Sequence, residues 1–334
     1  FHYWPNSTAL TFSGWGCNFL CPWCQNHELS WAREARSPIV EPDKLVNAAL
    51  RLGDEGVCAS FNEPATLFDY LLDVGLEARR RGLYASIVTN GYFTLRAVDE
   101  LVESGYDGWA VDVKGCPESS RRHPRILPGV DHSVVFRNAR RILDLGGHVE
   151  MVYLVVTGYN EVCADWIIEK HLDTLGENVP LHINRYYPAY RWHEPPTPRR
   201  ILFEIAEKAK RAGINYVYIG NLWEPELETT RCPRCGKILI ARRGYRVVHW
   251  ALDYSNGKYR CPRCGLEIPI KGRYIPGKTA WTHRLIGQHA PLDGPLRILD
   301  PPRIVASKPP QDNIGLRPQT LNNTNTSGYE VTKS

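Results

Sequence analysis

Cys17, Cys21 and Cys24, in the run GWGCNFLCPWCQN, put three thiols on one short loop, spaced Cys-x3-Cys-x2-Cys with Trp23 just before the last. A four-iron cubane takes one thiolate per iron, so such a loop leaves one iron without a protein ligand. That iron can bind a small molecule and reduce it. Two other chemistries fit three thiols. A zinc site could be completed by His2 or His27, although zinc knuckles pair their cysteines at short spacings and normally close with four ligands. The thiols could also pack as small hydrophobes with no metal.

A second group is more regular. Cys232-Pro-Arg-Cys235-Gly and Cys261-Pro-Arg-Cys264-Gly are two nearly identical knuckles with twenty-five residues between them. Four thiolates in two turns make a closed tetrahedral site, the structural zinc-ribbon pattern, and a small module with little apolar content needs that metal to fold. Rubredoxin-type iron uses the same knuckles, but zinc is the expected ion. Cys58, Cys116 and Cys163 have no partner in sequence, and core packing is the expectation for Cys58 in mid-strand.

Seven of the ten cysteines thus have metal-type spacings, which requires reduced thiolates and points to a cytoplasmic, low-oxygen compartment rather than a disulfide framework. The 334 residues exceed one average domain, with 43% hydrophobic and 23% charged residues. There is no apolar run of about eighteen residues that could span a membrane, and the opening FHYWPN lacks a signal-peptide layout. Met151 is the one methionine, so the sequence is expected to begin inside a longer protein. The net charge of +5 is uneven: thirteen Lys/Arg stand against Asp253 and Glu267 between Arg231 and Arg284, a local +11 that leaves −6 elsewhere.

The elements that must position these groups alternate along the chain. Strands are predicted at ALTFSG from Ala9, GVCASF from Gly56, YASIVT from Tyr84, GWAVDV from Gly108, VEMVYLVV from Val149 and LHINR from Leu181. Helical periodicity covers Pro42 to Leu52, Leu67 to Arg81, Leu95 to Glu103, Ser133 to Leu145, Glu161 to Leu175 and Pro198 to Ala212, with a short strand YVYIG from Tyr216. Strands alternating with helices predict a parallel sheet covered by helices. Six such units predict an α/β fold, a partial (β/α)6 TIM-type barrel, over residues 1–228. A zinc ribbon over 229–275 and an irregular, largely disordered tail over 276–334 complete the expected organisation.

In such barrels chemistry gathers at the C-terminal ends of the strands. Strand one runs into the cysteine loop; the next four end in Asn62-Glu63-Pro64, Thr89-Asn90-Gly91, Asp112-Val113-Lys114 and Thr157-Gly158-Tyr159-Asn160; strand six carries His182, Asn184 and Arg185. One polar strand end is ordinary, but five in succession after a cluster loop form a rim. This order resembles the glycyl-radical-enzyme activase branch of the radical S-adenosylmethionine (SAM) superfamily. Within it, GCNFLCPWCQN, SFNEPATLF, LHINRYYPAY and YVYIGN resemble the AmmeMemoRadiSam-system radical SAM enzymes, over about Phe1 to Arg273.

The resemblance implies that Cys17, Cys21 and Cys24 ligate a [4Fe–4S] cluster whose fourth iron is chelated by SAM. It implies that Glu63 accepts from the SAM amine, that Asn90 faces its ribose or methionyl part, and that Trp23 lies beside the adenine. It also implies that Asp112 and Lys114 lie near its carboxylate or a cation beside it, in an oxidoreductase that generates a 5′-deoxyadenosyl radical. Physically, a carboxylate orients an ammonium through a charge-assisted bond and a lysine balances a carboxylate. Read without the resemblance, Glu63 could be a turn carboxylate and Asp112 with Lys114 an exposed ion pair of little worth. His182 and Arg185 are the substrate-side candidates, although they project together only if LHINR is irregular.

The partners implied are SAM, an unidentified substrate, a reductant such as a ferredoxin or flavodoxin, and Memo-like and AMMECR-like proteins; no membrane partner is expected. Two alternatives stay open: an activase that forms a glycyl radical on a partner protein, and a non-catalytic Fe–S protein that binds nucleic acid through the ribbon. The ribbon's arginines, interleaved with Tyr245, His249, Trp250, Tyr254 and Tyr259, could bind nucleic acid. They could equally form a solvated face balanced by the acidic barrel, which is the reading preferred from sequence.

Overall fold

The structure is a computed structural model that describes residues 1–35, 37–222 and 224–278. The expectations for 279–334 lie outside the described residues. Seven strands pair in chain order, all parallel: β1 (Ala9–Phe12), β2 (Gly56–Ala59), β3 (Tyr84–Thr89), β4 (Tyr106–Asp112), β5 (His148–Val155), β6 (Leu181–Arg185) and β7 (Val217–Gly220). The expected partial barrel is thus one strand wider than six units, because the short YVYIG segment joins β6 in register, Leu181 opposite Val217.

Between the strands lie α1 (His27–Ser30), α2 (Pro42–Leu52), α3 (Phe68–Arg80), α4 (Leu95–Ser104), α5 (Pro117–Arg122), α6 (Ser133–Asp144), α7 (Ala164–Leu175) and α8 (Arg199–Ala212). Their starts and stops follow local chemistry. Pro42 opens α2, where its missing N–H is harmless, and Gly53 closes it in the left-handed region at φ 72°. Thr94 caps α4, its hydroxyl accepting from the Ala97 N–H at 3.2 Å. Each long helix turns one apolar stripe onto the sheet, as Leu71, Val74 and Ala78 do on α3. Burying a side chain such as Leu71 contributes about 1.5–3 kcal/mol. No helix among the described residues is long and apolar enough to cross a membrane.

The two faces of the sheet differ in burial, and that difference locates the site. Ala85, Ile87, Met151, Tyr153, Leu181 and Ile183 are buried under the helices. Their neighbours at period two, including Ser86, Val88, Val152, Leu154, His182 and Asn184, remain part-exposed. The second set lines the inner face of the open barrel. Cys58 belongs to it and not to the core: it is part-exposed, between Thr11 and Ser86 in the neighbouring strands.

Past β7 the chain forms two small antiparallel sheets. β8 (Thr230–Arg231), β9 (Ile238–Arg243) and β10 (Arg246–Trp250) make one; β11 (Asp253–Ser255), β12 (Lys258–Arg260) and β13 (Glu267–Ile268) make the other. This module is docked on the barrel. Tyr216 and Tyr218 share an apolar cluster with Leu239, Ile240 and Val247. The Val247 N–H donates to Asn6 Oδ1 at 3.0 Å, and Lys271 N–H to the His2 carbonyl at 2.9 Å. Arg242 is buried in the seam, donating to the Glu228 carbonyl and to Thr230 Oγ1, both at 2.8 Å.

Candidate active site

The loop after β1 folds back on itself so that its thiols share one side of the barrel mouth. Gly16 N–H donates to the Leu29 carbonyl of α1 at 2.9 Å, and Cys24 N–H to the Cys21 carbonyl at 3.2 Å. Cys17 Sγ accepts the Phe19 N–H at 3.3 Å, the kind of amide–sulfur contact that steadies a thiolate ligand. Phe19 and Trp23 of the loop pack with Tyr92, Tyr159, Tyr186 and Trp192, an aromatic lining that shields one side of it while Asn18 and Leu20 stay exposed. Trp23, expected beside an adenine, is 3% exposed and packs 4.5 Å from Tyr159 and 6.0 Å from Trp192, centroid to centroid.

The three cysteines are free thiols. Burial raises Cys17 to about 11 and Cys21 to about 12, so both are neutral until a cation displaces their protons. Among the described residues, Cys232, Cys235, Cys261 and Cys264 converge on one point as a single ion requires, their ligand atoms within 4.8 Å of one another. Three thiols on one loop match a multinuclear cluster that takes one thiolate per iron, and leave a single zinc one ligand short.

Glu63 is 3% exposed and held from three sides. Its Oε1 accepts from Thr89 Oγ1 at 2.6 Å and Ala65 N–H at 3.1 Å; its Oε2 accepts from Asn90 N–H at 2.8 Å. A carboxylate has about four lone-pair sites, so one stays open for a further donor. Burial raises the Glu63 pKa despite these donors, so an incoming ammonium gains by neutralising it. The neighbouring Asn62 has a role the sequence did not suggest. Its Oδ1 accepts from Gly14 N–H at 3.0 Å and its Nδ2 donates to the Gly16 carbonyl at 3.1 Å, tying this strand end to the cysteine loop.

Asn90 performs a similar tie. Its Nδ2 donates to Asn18 Oδ1 at 2.6 Å and its Oδ1 accepts from Tyr92 N–H at 3.0 Å, so its carboxamide is engaged in holding the cysteine loop. Gly91 sits at φ 72°, and a Cβ there would meet Val111 Cγ1 at 2.7 Å. The bare backbone therefore serves packing against β4. Asp112 and Lys114 form an ion pair of 2.8 Å, about one-fifth exposed on each side. Burial alone would lower the Lys114 pKa, but Asp112 and Cys21 reverse that and raise it, so the ammonium persists beside the thiol loop.

The remaining candidates do not come together. β6 is a regular strand, so His182 and Arg185 lie on opposite faces. Asp112 pairs with Val152 and Val152 with His182, one row across three strands, about 10 Å from end to end. His182 is engaged there by Glu150, Nε2 to Oε2 at 2.6 Å, and stacks on Tyr218 at 5.1 Å. Arg185 donates to the Thr197 carbonyl at 2.9 Å and to Tyr187 Oη at 3.2 Å. Asn184 shares the inner face with His182, sits opposite Gly220 and makes no side-chain hydrogen bond among the described residues.

Cys116 and Cys163 form a disulfide that sequence spacing gave no reason to expect. Both are buried, and the bond joins the exits of β4 and β5. Asn160 reinforces it, donating to the Lys114 carbonyl at 3.1 Å. Each lies within a few residues of a rim motif, which is the signal that was present and unread.

The ribbon site is built symmetrically. Gly236 N–H donates to the Cys232 carbonyl and Gly265 N–H to that of Cys261, each at 2.9 Å, with both glycines at φ 71°. Sγ of Cys232 lies 3.5 Å from Cys264, and Cys235 3.6 Å from Cys261. The four thiols share protons: burial pushes Cys232 up, while Cys261, against its own burial, is brought down by the amides of Arg263 and Cys264 and the thiols of Cys235 and Cys232.

Comparison with known proteins agrees with this geometry. Residues 13–174 match the Radical SAM superfamily. An uncharacterized protein of Methanocaldococcus jannaschii, MJ0808, is 31% identical over 275 residues, which is 81% of this chain and 80% of that protein. The chain belongs to the radical SAM superfamily, and so is an enzyme of a class that uses SAM and a [4Fe–4S] cluster. Among solved structures, SuiB of Streptococcus suis bound to S-adenosylmethionine superposes with a TM-score of 0.51 at 15% identity, covering 64% of this chain and 51% of that one. SuiB bound to its precursor peptide SuiA gives a TM-score of 0.51 at 14% identity, covering 64% and 49%. At that identity the likeness is one of fold, and the chain spans about half the length of SuiB.

Proposed function

We propose that Cys17, Cys21 and Cys24 hold the [4Fe–4S] cluster and that the rim beside them binds SAM for reductive cleavage. The cluster, when bound, supplies the electron that splits the sulfonium into methionine and a 5′-deoxyadenosyl radical, which then abstracts hydrogen from a substrate. The observation that carries this reading is the convergence on one rim of a three-thiol loop, a buried carboxylate with one acceptor site open, and the Asp112–Lys114 pair.

Glu63 orients the SAM amine through a charge-assisted bond, and Lys114 balances its carboxylate while Asp112 fixes the lysine. Asn62 and Asn90 act on the cysteine loop, Asn90 also bordering the ribose and methionyl side. Trp23, backed by Tyr159, walls the adenine side. The substrate faces the inner surface of β6, where Asn184 offers an unengaged amide and His182 lies one row deeper; Arg185, on the opposite face, stands outside that surface. Cys232, Cys235, Cys261 and Cys264 hold a structural zinc.

The test is anaerobic reconstitution with iron and sulfide, followed by dithionite and SAM. The expected product is 5′-deoxyadenosine, abolished by Cys17→Ala, Cys21→Ala or Cys24→Ala. A protein with its cluster in place that leaves SAM intact would overturn the reading.

A further inference from the structure

The basic ribbon has no task in that chemistry. Between Thr229 and Lys278, twelve Lys/Arg stand against Asp253 and Glu267 alone. A solvated face balanced by the acidic barrel was the reading preferred from sequence, and the structure gives it little support. Among the described residues, the ion pairs that reach the sheet region are Lys271–Asp107 at 3.6 Å and Lys278–Glu55. Lys258 and Arg260 share Glu267, Arg231 pairs with Glu226, and Arg242 turns inward. Arg234 and Arg263 occupy equivalent knuckle positions, where four thiolates around one divalent ion leave two negative charges for them to balance.

Arg243 and Arg246 have no such explanation. They are direct cross-strand partners at the end of the β9–β10 hairpin, and both are exposed. Like charges placed opposite one another on a sheet repel. Yet neither guanidinium makes an ion pair or side-chain hydrogen bond among the described residues. The turn between them presents Tyr245, 67% exposed, and Tyr254 on the second sheet is 64% exposed. β10 is an edge strand, kinked by a register shift between Val247 and His249, which discourages pairing with a further strand.

Unbalanced guanidinium groups flanking an exposed aromatic ring, which meets Phe1 at 6.2 Å and leaves most of its surface open, match a polymer that offers phosphates and unstacked bases together. We propose that the ribbon binds single-stranded nucleic acid, with phosphates held at Arg243 and Arg246, bases stacking on Tyr245, and Tyr254 as a second platform.

The test is fluorescence anisotropy of labelled U20 RNA and dT20 DNA with the full-length, zinc-loaded protein across a salt series. At low salt, binding on the order of 10 µM or tighter is expected, weakening with log[salt] at about −0.7 per phosphate contact. Arg243→Glu with Arg246→Glu should flatten that slope by about 1.4. Tyr245→Ala should weaken binding about 5-fold or more at unchanged slope, whereas Tyr245→Phe, which keeps the ring, binds as the parent does. Unchanged zinc content and circular dichroism verify that each variant is folded. No binding to either strand at low salt, parental affinity in Tyr245→Ala, or equal affinity for a blunt duplex would each overturn the proposal.

Discussion

Replacing Cys116 and Cys163 by alanine removes the covalent tie between the exits of β4 and β5, and its effect can be worked from the chain. The two cysteines are 47 residues apart. Chain entropy of −2.1 − 1.5R ln n gives about 13.6 cal/mol/K, or about 4 kcal/mol of stability at 25 °C. At about 2.1 cal/mol/K of unfolding entropy per residue, a kcal/mol shifts the midpoint of this 334-residue chain by about 1.4 °C, so thermal unfolding should fall by about 6 °C. The rim should suffer less, because Asn160 still bonds the Lys114 carbonyl; SAM affinity is expected to drop only several-fold. The assay has two arms. Anaerobic denaturation in an alkylating agent and a chelator, without reductant, should label eight of the ten cysteines and leave Cys116 and Cys163 joined. Calorimetry of the double variant then reads the stability change. Ten labelled cysteines in the unreduced protein, or a double variant within about 1 kcal/mol of the parent, would refute the reasoning.

Glu63→Gln exchanges the open acceptor site for a neutral amide and should weaken SAM about 10-fold, about 1.4 kcal/mol, measured by equilibrium dialysis. Burial holds His132 and His171 down at about 4, against 6.5 for an unperturbed histidine. The unfolded chain therefore binds more protons than the native one between these values, and stability falls as pH drops through that window, by up to about 3 kcal/mol for each histidine. Denaturant titrations from pH 7 to pH 4 should show this loss, and His171→Gln should make it shallower. Removing the proposed ribbon metal with a chelator, or Cys232→Ala, should unfold the ribbon and lower thermal stability; metal loss with the ribbon still folded, read by amide exchange of β9 and β10, would contradict the proposed structural role.

Much of the barrel could be read from the sequence because its strands and helices keep their own periods. Helix α2 has the expected bounds, and all seven strands form where apolar, β-branched runs occur. Both cysteine groups and the polar strand ends were legible because motif spacing is local. What escaped depends on distant residues. Asn90 read as a ligand-facing position and Asn62 was given no role, yet hydrogen bonds to Gly14, Gly16 and Asn18 tie both side chains to the cysteine loop. The Cys116–Cys163 bond brings together two loops that no spacing rule connects. Cys58 read as a core residue because mid-strand position does not reveal which face a strand buries. The short helices α1 and α5, of four and six residues, carry too few turns to show a period.

Electron paramagnetic resonance of the reconstituted, dithionite-reduced protein, recorded with and without SAM carrying a labelled amine and carboxylate, addresses the central claim most directly. A reduced-cluster signal that shifts on SAM addition and couples to the labelled atoms is the expected result. A signal indifferent to SAM, or a loop that takes up zinc and no iron, would contradict the account.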